Sequence, residues 1–202
     1  MEESWEEMQR LIREGKVRWA GVSNFGIDLL DACSKVAHID SVQPPFSLVD
    51  REAATGILGW VSKHGSGLIC YSPQASGLLT DNFSLEYWSA LPAEDWRRSA
   101  EWFAEEDLRR GLALRDSLRP IAQRHKTTVS SVAVVWTLAW RGVTGAIAGA
   151  RRPDQVSEWI KAATLQLTAA DLDAIAEAVL AAGLGRGPVR PSSTREGAGK
   201  SR

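Results

Sequence analysis

Cysteine, histidine and tyrosine are scarce in this chain, and each scarcity removes a class of chemistry. Of 202 residues only two are cysteine, three histidine and two tyrosine. Cys33 and Cys70 make no disulfide framework, and Cys70 lies inside an apolar run, where a reduced buried thiol is expected. His38, His64 and His125 are scattered and neither cysteine has a ligand neighbour, so no metal-site spacing is present. No apolar run reaches the roughly 20 residues that a membrane-spanning helix needs. A net charge of −1 argues against a dedicated nucleic-acid surface. The first seven residues, Met1-Glu-Glu-Ser-Trp-Glu-Glu7, are acidic and unlike a signal peptide, so a cytoplasmic address is expected.

What the chain does contain is an ordinary globular mixture, 44% apolar and 24% charged, long enough for one α/β domain with a substantial core. Four apolar runs each stop on hydrogen-bonding groups. Val17–Val22 ends on Ser23-Asn24, and Ser41-Val42 runs into Gln43. Gly67–Cys70 runs into Tyr71-Ser72, and the strand predicted over Gly145–Gly149 into Ala150-Arg151. Helical spacing separates the runs: Trp5, Met8, Leu11 and Ile12 precede the first, with Ser4 and Glu7 resembling a capping box. Further helices are predicted over Ile27–Val36 and Arg51–Lys63. The runs do not alternate apolar with polar, as expected of parallel strands covered on both faces. In parallel α/β proteins ligands sit at the carboxyl ends of the strands, which makes these polar groups the candidate site.

Between the third and fourth runs the rhythm breaks. Ser76 to about Arg110 is far longer than an ordinary connection. It reads as a lid or pocket wall, or as an extra helix packing Trp88, Trp96 and Trp102 on the body, and the two are compatible. A helix pair is predicted over Leu112–His125 and Val129–Trp140, with Thr127, Thr128 and Ser130 offering capping hydroxyls. Another runs from Pro153, well placed in a first turn, to Ala163. The last runs from Ala170 to Leu180, capped by Thr168 and Asp171. From Gly183 onward Gly, Pro, Ser and Arg dominate, which predicts a disordered tail over 183–202 and a domain over 1–182.

Four stretches resemble the aldo-keto reductases, in family order and at plausible intervals: Gly15-Lys-Val-Arg-Trp-Ala-Gly-Val-Ser-Asn-Phe25, Val42-Gln-Pro-Pro-Phe-Ser-Leu-Val-Asp-Arg51, Tyr71-Ser-Pro-Gln-Ala-Ser-Gly-Leu-Leu79 and Gly149-Ala-Arg-Arg-Pro-Asp-Gln-Val156. The resemblance implies a (β/α)8 TIM-barrel type of α/β fold, of which only the last four βα units are present. It also implies an NADP-dependent oxidoreductase that reduces aldehydes and ketones. Carried over by position, Ser23, Asn24 and Gln43 look like the groups that hold the nicotinamide carboxamide. Tyr71 looks like the aromatic that stacks on the nicotinamide ring. Ser72, Pro73, Gln74 and Gly77 match the pyrophosphate loop. Gly149, Ala150 and Arg151 match the adenosine-phosphate site, with Gln155 and Glu158 toward the adenine, and Trp159 departs from the Asn the family often carries. Physics adds to this: a helix N-terminus near Pro153 favours an anion, and Arg151 can fork onto a 2′-phosphate. Against it, Ser23-Asn24 can instead cap the next helix, and Arg151 can be a solvated charge.

The family's catalytic Asp, Tyr, Lys and His lie on its first four strands, and nothing here matches them, so no catalytic residue is assigned. The expectation is the C-terminal part of a reductase, through truncation, a displaced start or a split gene. Its alternatives are a non-catalytic NADP-binding half-barrel and a degenerate fragment. Four βα units leave two unpaired strand edges and an uncovered inner face. A second half-barrel, or self-association through those edges, is therefore the expected partner beside the nicotinamide cofactor.

Overall fold

Apolar residues three and four apart generate the first helix, α1 (Glu2–Arg13), which buries Trp5 and packs Met8 and Ile12 on the core. Ser4 lies inside α1 rather than at its end, so the expected capping box is not its start. The computed structural model describes residues 2–191. Four strands follow α1: β1 (Gly21–Ser23), β2 (Ser41–Gln43), β3 (Gly67–Tyr71) and β4 (Val143–Ile147). They form one parallel sheet in chain order. Helices α2 (Ile27–Val36) and α3 (Ile57–His64) make the first two crossovers. After β3 come α4 (Leu85–Ser89), α5 (Glu105–Ser117), α6 (Arg119–Arg124) and α7 (Val129–Leu138). After β4 come α8 (Pro153–Trp159) and α9 (Ala169–Ala182).

Two strands differ from expectation because pairing, not hydrophobicity, sets their limits. The first run was expected to be a strand from Val17, but β2 offers ladder partners only to Gly21–Ser23. The fourth begins at Val143, directly after the left-handed turn at Gly142 (φ 96°), and ends at Ile147.

Among the described residues the sheet is covered on one face only, which differs from the expected coverage on both. Val42, Leu68, Cys70 and Val143 are buried against the helices. Residues in register on the other side, Ser23, Gln43, Ile69, Tyr71 and Ile147, are half-buried or exposed. Among the described residues β1 and β4 each have one strand neighbour. Burial pushes the Cys70 thiol up to about 11, so it packs rather than reacts. No helix among the described residues is long and apolar enough to cross a membrane.

On the covered face Trp136 of α7 is fully buried, stacked on Phe46 at 5.5 Å and edge-on to Trp140 at 5.4 Å. The excursion after β3 both packs and projects. Phe83 and Phe103 enter the core, whereas Trp96 and Trp102 stay exposed. Three arginines knit it to itself and to the body. Arg98 donates to the carbonyls of Ser89 (2.7 Å) and Leu91 and lies over the Trp88 ring. Arg115 donates to the Phe83 carbonyl at 2.6 Å, and Arg119 pairs with Asp81 at 3.1 Å.

Thr168 and Asp171 cap α9 reciprocally, as the sequence predicts. Asp171 is also a buried junction, accepting from Arg124 Nη2 at 2.6 Å and bonded to His125 Nε2 at 2.8 Å. Burial alone would raise its pKa, but the hydrogen bonds from Arg124, His125 and Thr168 outweigh that and hold it well below the usual carboxylate range. A depressed carboxylate stabilises the fold in full above its unfolded pKa, about 3.9, and the contribution is lost as pH falls through the folded value. Denaturant midpoints measured from about pH 5 downward are therefore expected to fall more steeply for the parent chain than for Asp171→Asn.

The predicted tail is packed over its first part. Leu184 is buried, Val189 packs on the core, Arg190 pairs with Asp173, and the Gly185 carbonyl accepts from Arg51 Nη2 at 3.2 Å. A Cβ on Gly185 (φ +64°) would lie 2.2 Å from the Val49 carbonyl oxygen, so the glycine permits the crossing. Glycine and arginine, read as signs of disorder, are here a close approach and its anchor. The rest of the expected tail, 192–202, lies outside the described residues.

Candidate functional site

The ends of the first three strands are tied to one another. Ser23 Oγ donates to the Gln43 carbonyl at 3.1 Å, and the Asn24 amide does so at 3.2 Å. The Tyr71 hydroxyl donates to Asn24 Oδ1 at 2.9 Å. This last bond fixes which way the Asn24 amide points: with Oδ1 taken, its N–H2 is the group left for a ligand's acceptor. Ser23-Asn24 does not cap α2, whose cap position is Gly26 with no side-chain bond. Asn24, Ser72, Ala75 and Ser76 all have positive φ, between 48° and 61°. Four non-glycine residues in that region at adjoining strand ends are a concentration of backbone strain of the kind found at ligand sites.

Next to these ends lies a cavity of about 700 Å³, within the range of small-molecule sites. One wall is the loop after β3, from Tyr71 and Ser72 to Asn82. A second is the loop from Ile147 into α8. The excursion supplies the third through Tyr87, Trp96 and Arg97. Of the residues expected at the site, Tyr71, Ser72, Gln74, Gly77, Gly149, Ala150, Arg151, Gln155 and Glu158 line this cavity. Pro73 is buried behind it, and Ser23, Asn24 and Gln43 stand on the neighbouring strand ends, linked through Tyr71.

Two glutamines are engaged differently from expectation. The Gln74 side chain is buried and donates to Ser130 Oγ on α7, so it braces the loop from beneath. Gln155 Oε1 accepts from the amides of Arg151 (2.6 Å) and Arg152 (3.1 Å). The helix N-terminus near Pro153 was expected to favour an anion, but the two amides just before it are taken and α8 is only seven residues long. Attraction for an anion therefore rests on side chains. Arg152 is paired with Asp154 at 3.1 Å. The Arg151 side chain makes no hydrogen bond or ion pair among the described residues. Glu158 accepts from Asn82 Nδ2 at 3.4 Å, and its carbonyl accepts from Ser131 Oγ at 2.7 Å and from Thr128. Burial raises its pKa, helped by the like charges of Asp154 and Asp81 and opposed by Arg152.

Trp96 lines the cavity, in keeping with the excursion read as a pocket wall, whereas sequence reading did not single out Thr80, Asn82, Tyr87, Arg97 and Arg152. Only the length of the excursion signalled that some of them would face the site. The histidines lie elsewhere. His38 is beside Asp40 and His64 stacks on Trp60, each before its following strand, and His125 is held by Asp171. Among the described residues no cluster of His, Cys, Asp and Glu is placed to hold a metal ion.

A parallel sheet with strained loops and a cavity of about 700 Å³ at the carboxyl ends of its strands defines an α/β protein with the features of a ligand site. The chain belongs to the aldo/keto reductase family, whose model matches residues 1–180. It is 32% identical over 157 residues to the aldo-keto reductase YhdN of Bacillus subtilis (strain 168), covering 77% of this chain and 47% of that protein. Against the NADH-specific methylglyoxal reductase of Escherichia coli (strain K12) the identity is 27%, covering 81% and 49%. Against the aldo-keto reductase yakc [NADP(+)] of Schizosaccharomyces pombe (strain 972 / ATCC 24843) it is 25%, covering 85% and 51%. The glycerol dehydrogenase AKR11B4 from Gluconobacter oxydans superposes with a TM-score of 0.81 at 31% identity, over 88% of this chain and 54% of that one. The chain thus spans about half the length of the curated relatives it matches.

Proposed function

We propose that this chain is the C-terminal, dinucleotide-binding part of an NADP(H)-dependent carbonyl reductase, and that it holds the cofactor without itself supplying the proton donor. The single observation that carries the reading is the linked set Gln43, Asn24 and Tyr71 beside a cavity walled by Arg151. The residues fit the cofactor chemically. Asn24 offers a donor and the Ser23 oxygen an acceptor to a carboxamide, with the Tyr71 ring oriented by its own hydroxyl bond. The loop 72–77 offers close backbone approach at Gly77 (φ 101°). Gln74 contributes by holding that loop rather than by touching phosphate. Arg151 suits a 2′-phosphate, and Glu158 with Asn82 suits the adenine edge. The relatives include proteins named for NADH and for NADP(+), so the preference rests on Arg151 rather than on kinship.

The cofactor, when bound, supplies the hydride; reduction also needs an acid near the carbonyl oxygen. Neither tyrosine is available for that here, because Tyr71 is engaged with Asn24 and Tyr87 lies under Arg97 in the excursion. The acid then comes from further strands, which would also cover Ile69, Tyr71 and Ile147 on the open sheet face and pair β1 and β4. That covering unit is the partner we expect, whether on a longer polypeptide or a second half-barrel.

The test is titration of the purified chain with NADPH, followed by energy transfer from tryptophan, alongside an aldehyde-reduction assay and size-exclusion chromatography. Binding without turnover is the expected result. Turnover by this chain alone would overturn the assignment of no catalytic residue, and a folded chain that binds neither NADPH nor NADH would overturn the cofactor reading.

A further inference from the structure

Helix α7 begins on four consecutive residues that each reach a wall of the cavity. Thr128 Oγ1 and, at 2.7 Å, Ser131 Oγ donate to the Glu158 carbonyl in the last turn of α8. The Val129 amide donates to Asp81 Oδ2 at 3.0 Å, between the lining residues Thr80 and Asn82. Ser130 Oγ accepts from Gln74 Nε2, and both residues are buried. Starting the helix does not require this last bond. The cap is Thr128, whose Oγ1 accepts from the Ser131 amide at 3.1 Å.

The loop that Ser130 reaches is strained. Ser72, Ala75 and Ser76 have φ of 55°, 48° and 56°, conformations that persist only where the surroundings impose them. Among the described residues the Gln74 amide makes the only side-chain hydrogen bond from 72–77 to another part of the fold. The Gln74 carbonyl accepts from the Gly77 and Leu79 amides, both at 3.1 Å, so the placement of this one residue carries the whole turn.

We propose that Ser130 is a positioning residue, which through Gln74 holds the loop 72–77 in its binding shape before any dinucleotide arrives. The inference rests on the cofactor reading above and extends it to a fully buried hydroxyl outside the four matched stretches. Removing the hydroxyl alone leaves the Gln74 amide buried without a partner, which drives the loop toward water. A loop that is competent only part of the time binds more slowly, in proportion to the competent fraction, and releases at the parent rate. A lost ligand contact would instead speed release.

Stopped-flow mixing with NADPH, followed by energy transfer from tryptophan, reads the two rates. Ser130→Ala is expected to lower kon about tenfold and to leave koff within roughly twofold. The double variant Gln74→Leu/Ser130→Ala, which replaces both partners by apolar groups, is expected to recover kon to within about threefold of the parent. Should Ser130→Ala not fold, Gln74→Ala carries the same expectation from the loop side. An unchanged kon in a folded single variant, a loss carried by koff, or a double variant no faster than Ser130→Ala overturns the proposal. If the parent chain binds neither NADPH nor NADH, the cofactor reading fails by itself, and amide hydrogen exchange without nucleotide decides the role of Ser130. Exchange at Gly77 and Leu79 about tenfold faster in Ser130→Ala, with the α9 amides at parent rates, supports that role. Equal exchange in variant and parent overturns it.

Discussion

Arg151→Gln is expected to weaken NADPH binding by roughly ten- to a hundredfold, the loss of a charged hydrogen bond of about 1.5–3 kcal/mol, while leaving NADH within about threefold. The asymmetry follows from where the charge stands. Arg151 is exposed at the cavity wall and makes no side-chain hydrogen bond or ion pair among the described residues, so no such bond is lost when it is truncated. Arg152 is a poorer substitute, because Asp154 already takes Nε and Nη2. The backbone just before α8 cannot compensate either, since Gln155 Oε1 already accepts from the Arg151 and Arg152 amides. Parallel titrations with the two nucleotides check this; equal losses for both would move Arg151 away from a 2′-phosphate.

Trp136→Ala is expected to cost about 3–5 kcal/mol, a large share of the roughly 5–15 kcal/mol that holds a domain together. Two effects oppose each other at this residue. The indole buries its full area between Phe46 and Trp140, while its Nε1 has no partner in a buried setting. The area is the larger effect: about 200 Å² at roughly 25 cal/mol per Å² exceeds the ~1–3 kcal/mol penalty of one orphan donor. Trp136→Phe keeps the ring stack and removes the orphan, so it is expected to lie within about 1.5 kcal/mol of the parent. Denaturant midpoints separate the two substitutions. Loss of Trp136 should also reach the site, because the start of α7 carries Ser130 under Gln74, and Thr128 and Ser131 under the Glu158 carbonyl. Nucleotide affinity is therefore expected to fall with stability in Trp136→Ala and to persist in Trp136→Phe.

Much of the framework was legible because its causes are local. Helix α2 runs over Ile27–Val36, β2 over Ser41–Gln43 and β3 over Gly67–Tyr71, each as their spacing predicts, and Thr168 with Asp171 caps α9 within a single turn. The short motifs also marked which strand ends carry polar groups. Other features depend on a partner far along the chain. The Gln74 amide goes to Ser130, 56 residues away, and the first tail residues lie across Arg51, 134 residues from Gly185. Arg97 stands in a segment without periodicity or motif, so nothing nearby in sequence distinguishes it from Arg98.

By itself, then, the order of residues determined the succession of helices and parallel strands and the chemistry offered at each strand end. Periodicity and capping act over a few residues and need no distant contact. Only the tertiary structure decided which of those polar groups face the cavity and which brace it, which sheet face is covered, and which excursion arginine joins the lining. A buried amide or guanidinium bonds whatever group the fold brings within about 3 Å, and that neighbour is chosen by packing rather than by sequence distance.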